Sequence, residues 1–298
     1  RFFFGDSLDC DDEDEDCAAG TLPGNRSDYM WYSGNNAIPS QAGYYGSKPV
    51  GMKQPNQFGL YDTHGNVWEW CEDDWHDNYN CAPVNGSAWV DKPRASDRVA
   101  RGGCWLPFAR LCRSANHLHS SPTYRDLLSG FRLAAVPEVP APTPTPTPGH
   151  EEITIMLPYD VPLTLAKIPS GTFQMGSPDT ERGRYLDEGP VHTVNIGYDF
   201  YMGKTEVTQK QWLLMMGSWP GPAPFYGFGD CYPAYNISWD DAKRFITALN
   251  EHIANTGQGP LTVRLPSAAE WEYACRAGTQ TRFFFGDSLD CDDEDEDC

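Results

Sequence analysis

FGLYDTHGNVWEWCEDDW, residues 58–75, concentrates a turn, a row of oxygen-bearing side chains and three tryptophans (Trp68, Trp70, Trp75) in one short stretch. Asp62 and Glu69 carry carboxylates, and Gly65 and Asn66 supply the backbone freedom of a tight loop. Oxygen donors at this density on a Gly-containing loop suit a hard cation such as calcium, which accepts carboxylates and backbone carbonyls together. The same residues also read as a turn between two strands, with Trp68 and Trp70 in a core. The spacing leaves both readings open.

Outward from this stretch, the composition is globular. The 298 residues can bury at least one large core, and 13% are aromatic against 21% charged. A net charge of −20 argues against a nucleic-acid partner, whose phosphates attract Lys and Arg. No apolar run is long enough for a membrane span and no signal peptide is visible. The chain opens on Arg1 rather than Met, and its two ends repeat: RFFFGDSLDCDDEDEDC at 1–17 recurs unchanged at 282–298. That duplication reads as a window slightly longer than one period of a tandem array. The alternative is an overlap with no counterpart in the natural protein.

Val136 to Gly149, VPEVPAPTPTPTPG, alternates Pro with small residues. It is expected to be an extended spacer, excluded from helix interiors and central strands. The organisation expected is therefore residues 1–135 as the C-terminal part of a module, 136–150 as a linker, and 151–298 as the N-terminal part of the same or the next module. Thr143, Thr145 and Thr147 are candidates for stalk-type O-glycosylation, and Asn25, Asn85 and Asn236 open Asn-x-Ser sequons.

In the second half, Lys167 to Met175 and His192 to Tyr201 alternate like strands. Thr208 with Gln211, Ser238 with Asp241 and Ser267 with Glu270 are capping-box pairs that predict three helix starts. Capped helices among short, Gly- and Pro-punctuated strands predict an α+β chain with low regular secondary structure.

IPSGTFQMGS (168–177), GKTEVTQKQW (203–212), YNISWDDA (235–242), RLPSAAEWEYACRAGT (264–279), FGLYDTHGNVWEWC (58–71), RVARGGCW (98–105), CRSANH (112–117) and GFRLA (130–134) together resemble the formylglycine-generating enzyme, or sulfatase-modifying factor, domain family. The resemblance covers nearly all of the chain except the linker and the acidic loop. The motifs fall in the family's order only after rotation at the linker. It implies the family's variant of the C-type lectin fold. It also implies a calcium held by the Asp62 and Glu69 side chains and the Gly65 and Val67 carbonyls. A second family calcium would fall on Asp28 and Tyr29, where the match is loose and a surface turn is the better reading.

The chain departs from the family at the catalytic position. The formylglycine-generating oxidase resembled here uses two cysteines five apart, just after the RGG motif, as soft ligands for monovalent copper. Here Arg101-Gly102-Gly103 is followed by Cys104 and then Cys112, and Pro107 stands where the first active cysteine is expected. Cys104 and Cys112 are thus weak catalytic candidates, and copper is not expected. By resemblance Cys112 is a structural position paired with Cys275. Cys10 and Cys17 bracket DDEDED and are expected to close a small acidic loop, which reads equally as a plain solvated charge run. The pairing of Cys71, Cys81, Cys104 and Cys231 cannot be read from sequence. Paired cysteines imply an oxidising, extracellular or cell-surface setting. His117 and His119 are suggestive beside Cys112 but read as ordinary histidines. The function expected is a non-catalytic extracellular repeat protein, a structural or filament-forming polymer whose partners are copies of itself. The alternatives are a calcium-dependent adhesin for ligands such as glycans, and the copper oxidase.

Overall fold

A computed structural model describes residues 26–36, 45–106, 108–137 and 151–286. Cys10, Cys17, Asn25, Pro107, the three linker threonines and the acidic loop lie outside them. Four helical and eleven strand segments are named here in chain order: α1 (Ser33–Asn36), β1 (Trp68–Asp74), β2 (Arg98–Arg101), β3 (His117–Ser120), β4 (Ser129–Gly130), β5 (Ala134–Pro137), β6 (Glu152–Leu157), β7 (Val161–Ile168), β8 (Gly171–Met175), β9 (His192–Ile196), β10 (Phe200–Gly203), α2 (Gln209–Met216), α3 (Trp239–Thr256), β11 (Leu261–Arg264) and α4 (Ala268–Arg276). The strands form a five-stranded sheet, β11-β5-β10-β7-β6, a four-stranded sheet, β3-β2-β1-β4, and the hairpin β8-β9.

The three capping boxes form as their sequences predict. Thr208, Ser238 and Ser267 each accept from the backbone N–H three residues on, and the Gln211, Asp241 and Glu270 side chains reach back. On α3 the apolar residues Ala242, Phe245, Ile246, Leu249 and Ile253 recur at helical spacing and are buried, and Gly257 ends the helix in the left-handed region. The two strand-like stretches each break in the middle, at Pro169-Ser170 and at Gly197 to Asp199, and so contribute to two different sheets.

Period-two alternation assigns the faces of the five-stranded sheet. Ala135, Leu163, Leu165 and Tyr201 face a core closed by α2 and α3. Ala134, Ala166, Ile168 and Met202 face a second core closed by α4 and the β8-β9 hairpin. Trp70 enters the first core and Cys71 the second, so β1 belongs to both.

β5 corrects the linker boundary. It is a central strand, yet it includes Val136 and Pro137, expected to be spacer. Tyr201 and Met202 of β10 pair only with Ala135 and Ala134, whereas β11 pairs with all four residues. At Pro137 one side of β5 is therefore an edge, where a missing N–H costs nothing.

Candidate functional site

The Asp62–Glu69 loop is built by backbone that its sequence permits. Asp62 and Asn66 take positive φ (56° and 61°), and Gly65 sits at 90°, where an added Cβ would meet the Trp31 carbonyl oxygen at 1.9 Å. Asp62 and Glu69 are both buried, but they do not share a ligand set. Both Glu69 oxygens go to Arg132, whose Nε and Nη2 donate at 2.5 and 2.6 Å, and Trp271 Nε1 donates to the same carboxylate at 2.6 Å. Burial alone would lower the Arg132 pKa, but the Glu69 charge holds it above the usual range.

Asp62 Oδ2 accepts from the Gly51 N–H at 2.6 Å, while its Oδ1 is buried without a partner. Glu206 comes to the loop through Asn66, whose side-chain amide donates to it at 3.0 Å, and its Oε2 is likewise unpartnered. Burial, opposed by the Gly51 bond and Arg132, pushes Asp62 up to about 6; burial and then Asp62 itself push Glu206 well above its ordinary value. Protonation of the pair is thereby favoured over a second buried negative charge. The calcium set implied by resemblance does not fit this arrangement, because Glu69 already has its cation in Arg132. Among the described residues no group of three or more His, Cys, Asp and Glu side chains is arranged to hold a metal ion. At the looser position, Tyr29 is a core residue stacked on Phe285 rather than part of a surface turn.

The cysteines are arranged differently from expectation. All six described cysteines are free thiols, so the expected Cys112–Cys275 bond is not formed. The Cys112 sulfur lies 3.8 Å from the Cys104 carbonyl oxygen, whereas the Cys275 sulfur faces Thr63 O, Ser114 Oγ and the His64 ring. Burial pushes Cys112 and Cys275 up to about 12 and Cys104 well above its ordinary value. A thiol so placed is a poor source of the thiolate that copper ligation and nucleophilic attack require. The pairing from which an oxidising compartment was inferred is thus absent among the described residues.

Of the sequons, Asn85 is exposed and its side chain bonds only Ser87 nearby. Asn236 is buried, with its amide nitrogen donating to the Pro222 carbonyl at 2.9 Å, and Ser238 of the same sequon is the N-cap of α3. Asn236 is therefore closed to a glycan in the folded chain.

An opening that the sequence did not reveal lies beside Cys104. A cavity of about 480 Å³ is lined by Trp68, Trp75, Cys104, Asn116, His117, His119, Tyr185 and Asp187, among others. β1 supplies Trp68 and delivers Trp75, and β3 supplies both histidines. The Trp75 ring lies over His119 at 4.2 Å, and His119 Nδ1 is 2.7 Å from Asp97. Asn116 Oδ1 and Asp187 Oδ1 are buried and unpartnered. Burial holds His117 down to about 3, so it is neutral; with Nδ1 bonded to the Ala115 carbonyl, its Nε2 is an acceptor. The wall thus offers aromatic faces and hydrogen-bond acceptors. Only the proximity of His117 and His119 to Cys112 in the sequence hinted at it.

The sulfatase-modifying factor enzyme 1-like domain model matches this chain over residues 13–136 and 162–297. The formylglycine-generating enzyme of Thermomonospora curvata is 37% identical over 102 residues, covering 32% of this chain and 33% of that one. The serine/threonine-protein kinase Pkn1 of Chlamydia trachomatis is 32% identical over 136 residues, covering 44% of this chain and 21% of the kinase. The chain therefore spans a third or less of the length of these two relatives. Among solved structures, PvdO from Pseudomonas aeruginosa aligns at 35% identity over 38% of this chain and 41% of its own, with a TM-score of 0.32. With both halves matched by one family, the chain belongs to the sulfatase-modifying factor (FGE-sulfatase) domain family.

Proposed function

We propose that the chain is a non-catalytic extracellular repeat module that assembles with copies of itself into a structural filament. The observation that carries this reading is a segment present twice in a fold with one seat for it among the described residues. Phe283, Phe284 and Phe285 of the second copy are buried against Tyr29, Met30, Tyr32, Ala109 and Cys112. His64 stacks on Phe284 and accepts its N–H at 3.1 Å. The same RFFFG occurs at residues 1–5, and a tandem array of such modules would give each copy a seat of this kind. The exposed Asn85 sequon and the Pro/Thr spacer support an extracellular setting. Light scattering on the native protein tests the reading. A mass many times 33.3 kDa, with a regular axial repeat in images, is expected; a sharp single-chain mass would overturn it.

The cavity beside Cys104 favours a second reading, a surface adhesin. Aromatic faces ringed by acceptors suit a ligand with an apolar face and several hydrogen-bond donors, as a sugar ring has. A glycan array run with and without calcium tests this reading, and loss of binding in Trp75→Ala would place the ligand in the cavity. Copper-dependent oxidation of a peptide cysteine is the reading least supported by these buried, protonated thiols.

A further inference from the structure

We infer that the cavity beside Cys104 is a site for a primary alkylammonium, the head group of a lysine side chain or of a free alkyl amine, with its apolar stem on the cavity's leucines and its charged head at Asp187. The inference rests on the reading of that cavity as a ligand site and assigns the class of ligand.

The polar atoms of the wall divide by type. Its buried side-chain donors are engaged. Asn116 Nδ2 donates to the Leu111 carbonyl at 2.6 Å, the Trp68 indole N–H donates to Cys104, and His117 Nδ1 lies 3.1 Å from the Ala115 carbonyl oxygen. Its acceptors are open. Asn116 is 2% exposed, yet its Oδ1 has no partner, and Asp187 Oδ1 is buried in the same state. His117 Nε2, the acceptor nitrogen of a neutral ring, makes no hydrogen bond among the described residues. Empty buried acceptors are costly, so a wall that leaves only acceptors open is matched best by a ligand that brings donors alone. A sugar hydroxyl brings an acceptor with every donor, whereas an ammonium brings three N–H donors and no acceptor.

Charge selects the same ligand. Asp187 takes part in no ion pair among the described residues, and burial and then the neighbouring Glu188 charge raise its pKa, as expected of a carboxylate short of a cation. His119 is already matched by Asp97, Nδ1 to Oδ2 at 2.7 Å. Arg101 and Arg113, whose charges reach His117, are matched by Glu272, Glu188 and Glu181. The net charge of −20 draws cations toward the chain as a whole.

Shape agrees with charge. Leu106, Leu111, Leu118 and Leu128 line the cavity beside the rings of Trp68 and Trp75. Four leucines suit a methylene stem and offer nothing to a ring of hydroxyls, while indole rings attract a cation. At about 480 Å³ the cavity is large enough to take a whole lysine side chain.

The test is calorimetric titration of the full chain with four probes: Nα-acetyl-lysine amide, its Nε-acetyl and Nε-trimethyl derivatives, and n-butylammonium. The lysine amide is expected to bind at least tenfold tighter than either derivative, because acetylation removes the charge and trimethylation removes the donors. Asp187→Asn, with an unchanged near-ultraviolet spectrum, should bind it at least tenfold more weakly. n-Butylammonium equal to the lysine amide would mark a free amine as the ligand, and at least tenfold weaker binding would mark a lysine of a partner protein. Equal binding of the acetylated or trimethylated probe, or by Asp187→Asn and wild type, would overturn the ammonium assignment. Glycans bound on the array and lost in Trp75→Ala, with no response to any amine, would overturn it and leave the cavity a ligand site. No response to glycans or amines would overturn both.

Discussion

Arg132→Met removes the cation of the Asp62–Glu69 loop with little change in volume. Arg132 is fully buried, and besides Glu69 it donates to the Gly203 and Tyr61 carbonyls at 3.1 and 2.9 Å. Its loss leaves Glu69 buried with Trp271 as its remaining donor, beside the Asp62–Glu206 pair. Breaking a buried pair from one side costs about 3–5 kcal/mol, because the abandoned charge is the expense. At about 2–4 °C per kcal/mol for a chain of this size, the melting temperature should fall by about 10 °C. Circular dichroism melts in chelator measure this directly, and Glu69→Gln added to Arg132→Met should recover part of the loss. A single variant within about 1 kcal/mol of wild type would refute the pairing. Calcium supplies a second readout. A cation bound only by the folded state stabilises it by about 2.7 kcal/mol at a hundred times its dissociation constant. Wild type, with Glu69 already neutralised, should melt equally in calcium and in chelator, whereas Arg132→Met, with Glu69 freed, should gain a calcium response. A calcium shift in wild type would refute the assignment of Glu69 to Arg132.

The remaining predictions concern single sites. His64 and His117, held down to about 3 chiefly by burial, bind protons more readily when unfolded. Their contribution is complete above about 6.5 and is lost as pH falls toward 3, up to about 5 kcal/mol each. Asp62 and Asp73, raised to about 6 by burial, oppose this between about pH 6 and 4. Acid titration followed by near-ultraviolet dichroism should show stability falling less between pH 6.5 and 3 in His64→Phe than in wild type; an identical slope would count against the buried neutral imidazole. Ser238→Ala should cost about 1 kcal/mol through the lost cap of α3, measured by urea denaturation. Glycopeptide mapping after secretion should find Asn236 unmodified, and a glycan there would contradict its burial. Thiol labelling after denaturation without reductant should find Cys112 and Cys275 free, and a recovered Cys112–Cys275 peptide would restore the pairing expected from resemblance.

Much of the fold was legible because its signals are local. A capping box is written within four residues, as at Ser267 and Glu270, and the apolar face of α3 within four turns. The turn at Gly65 was likewise written in the residue that lacks a Cβ. The strands were less legible. Lys167 to Met175 carries one alternation but serves two sheets, because the break at Pro169-Ser170 matters only once the hairpin partner is placed.

The site was legible in its residues but not in its partners. Residue order was enough to establish that the chain is an α+β member of its family, that its cysteines depart from the catalytic spacing, and that one segment occurs twice. Packing was needed to show that Glu69 is matched by Arg132, that Pro137 ends a central strand at an open edge, and that Trp75, His117 and His119 line one cavity. The difference lies in the range of the interactions. Capping and periodicity act between residues a few positions apart, whereas the neutralisation of a buried charge and the walls of a cavity depend on which distant residues packing brings within a few ångströms.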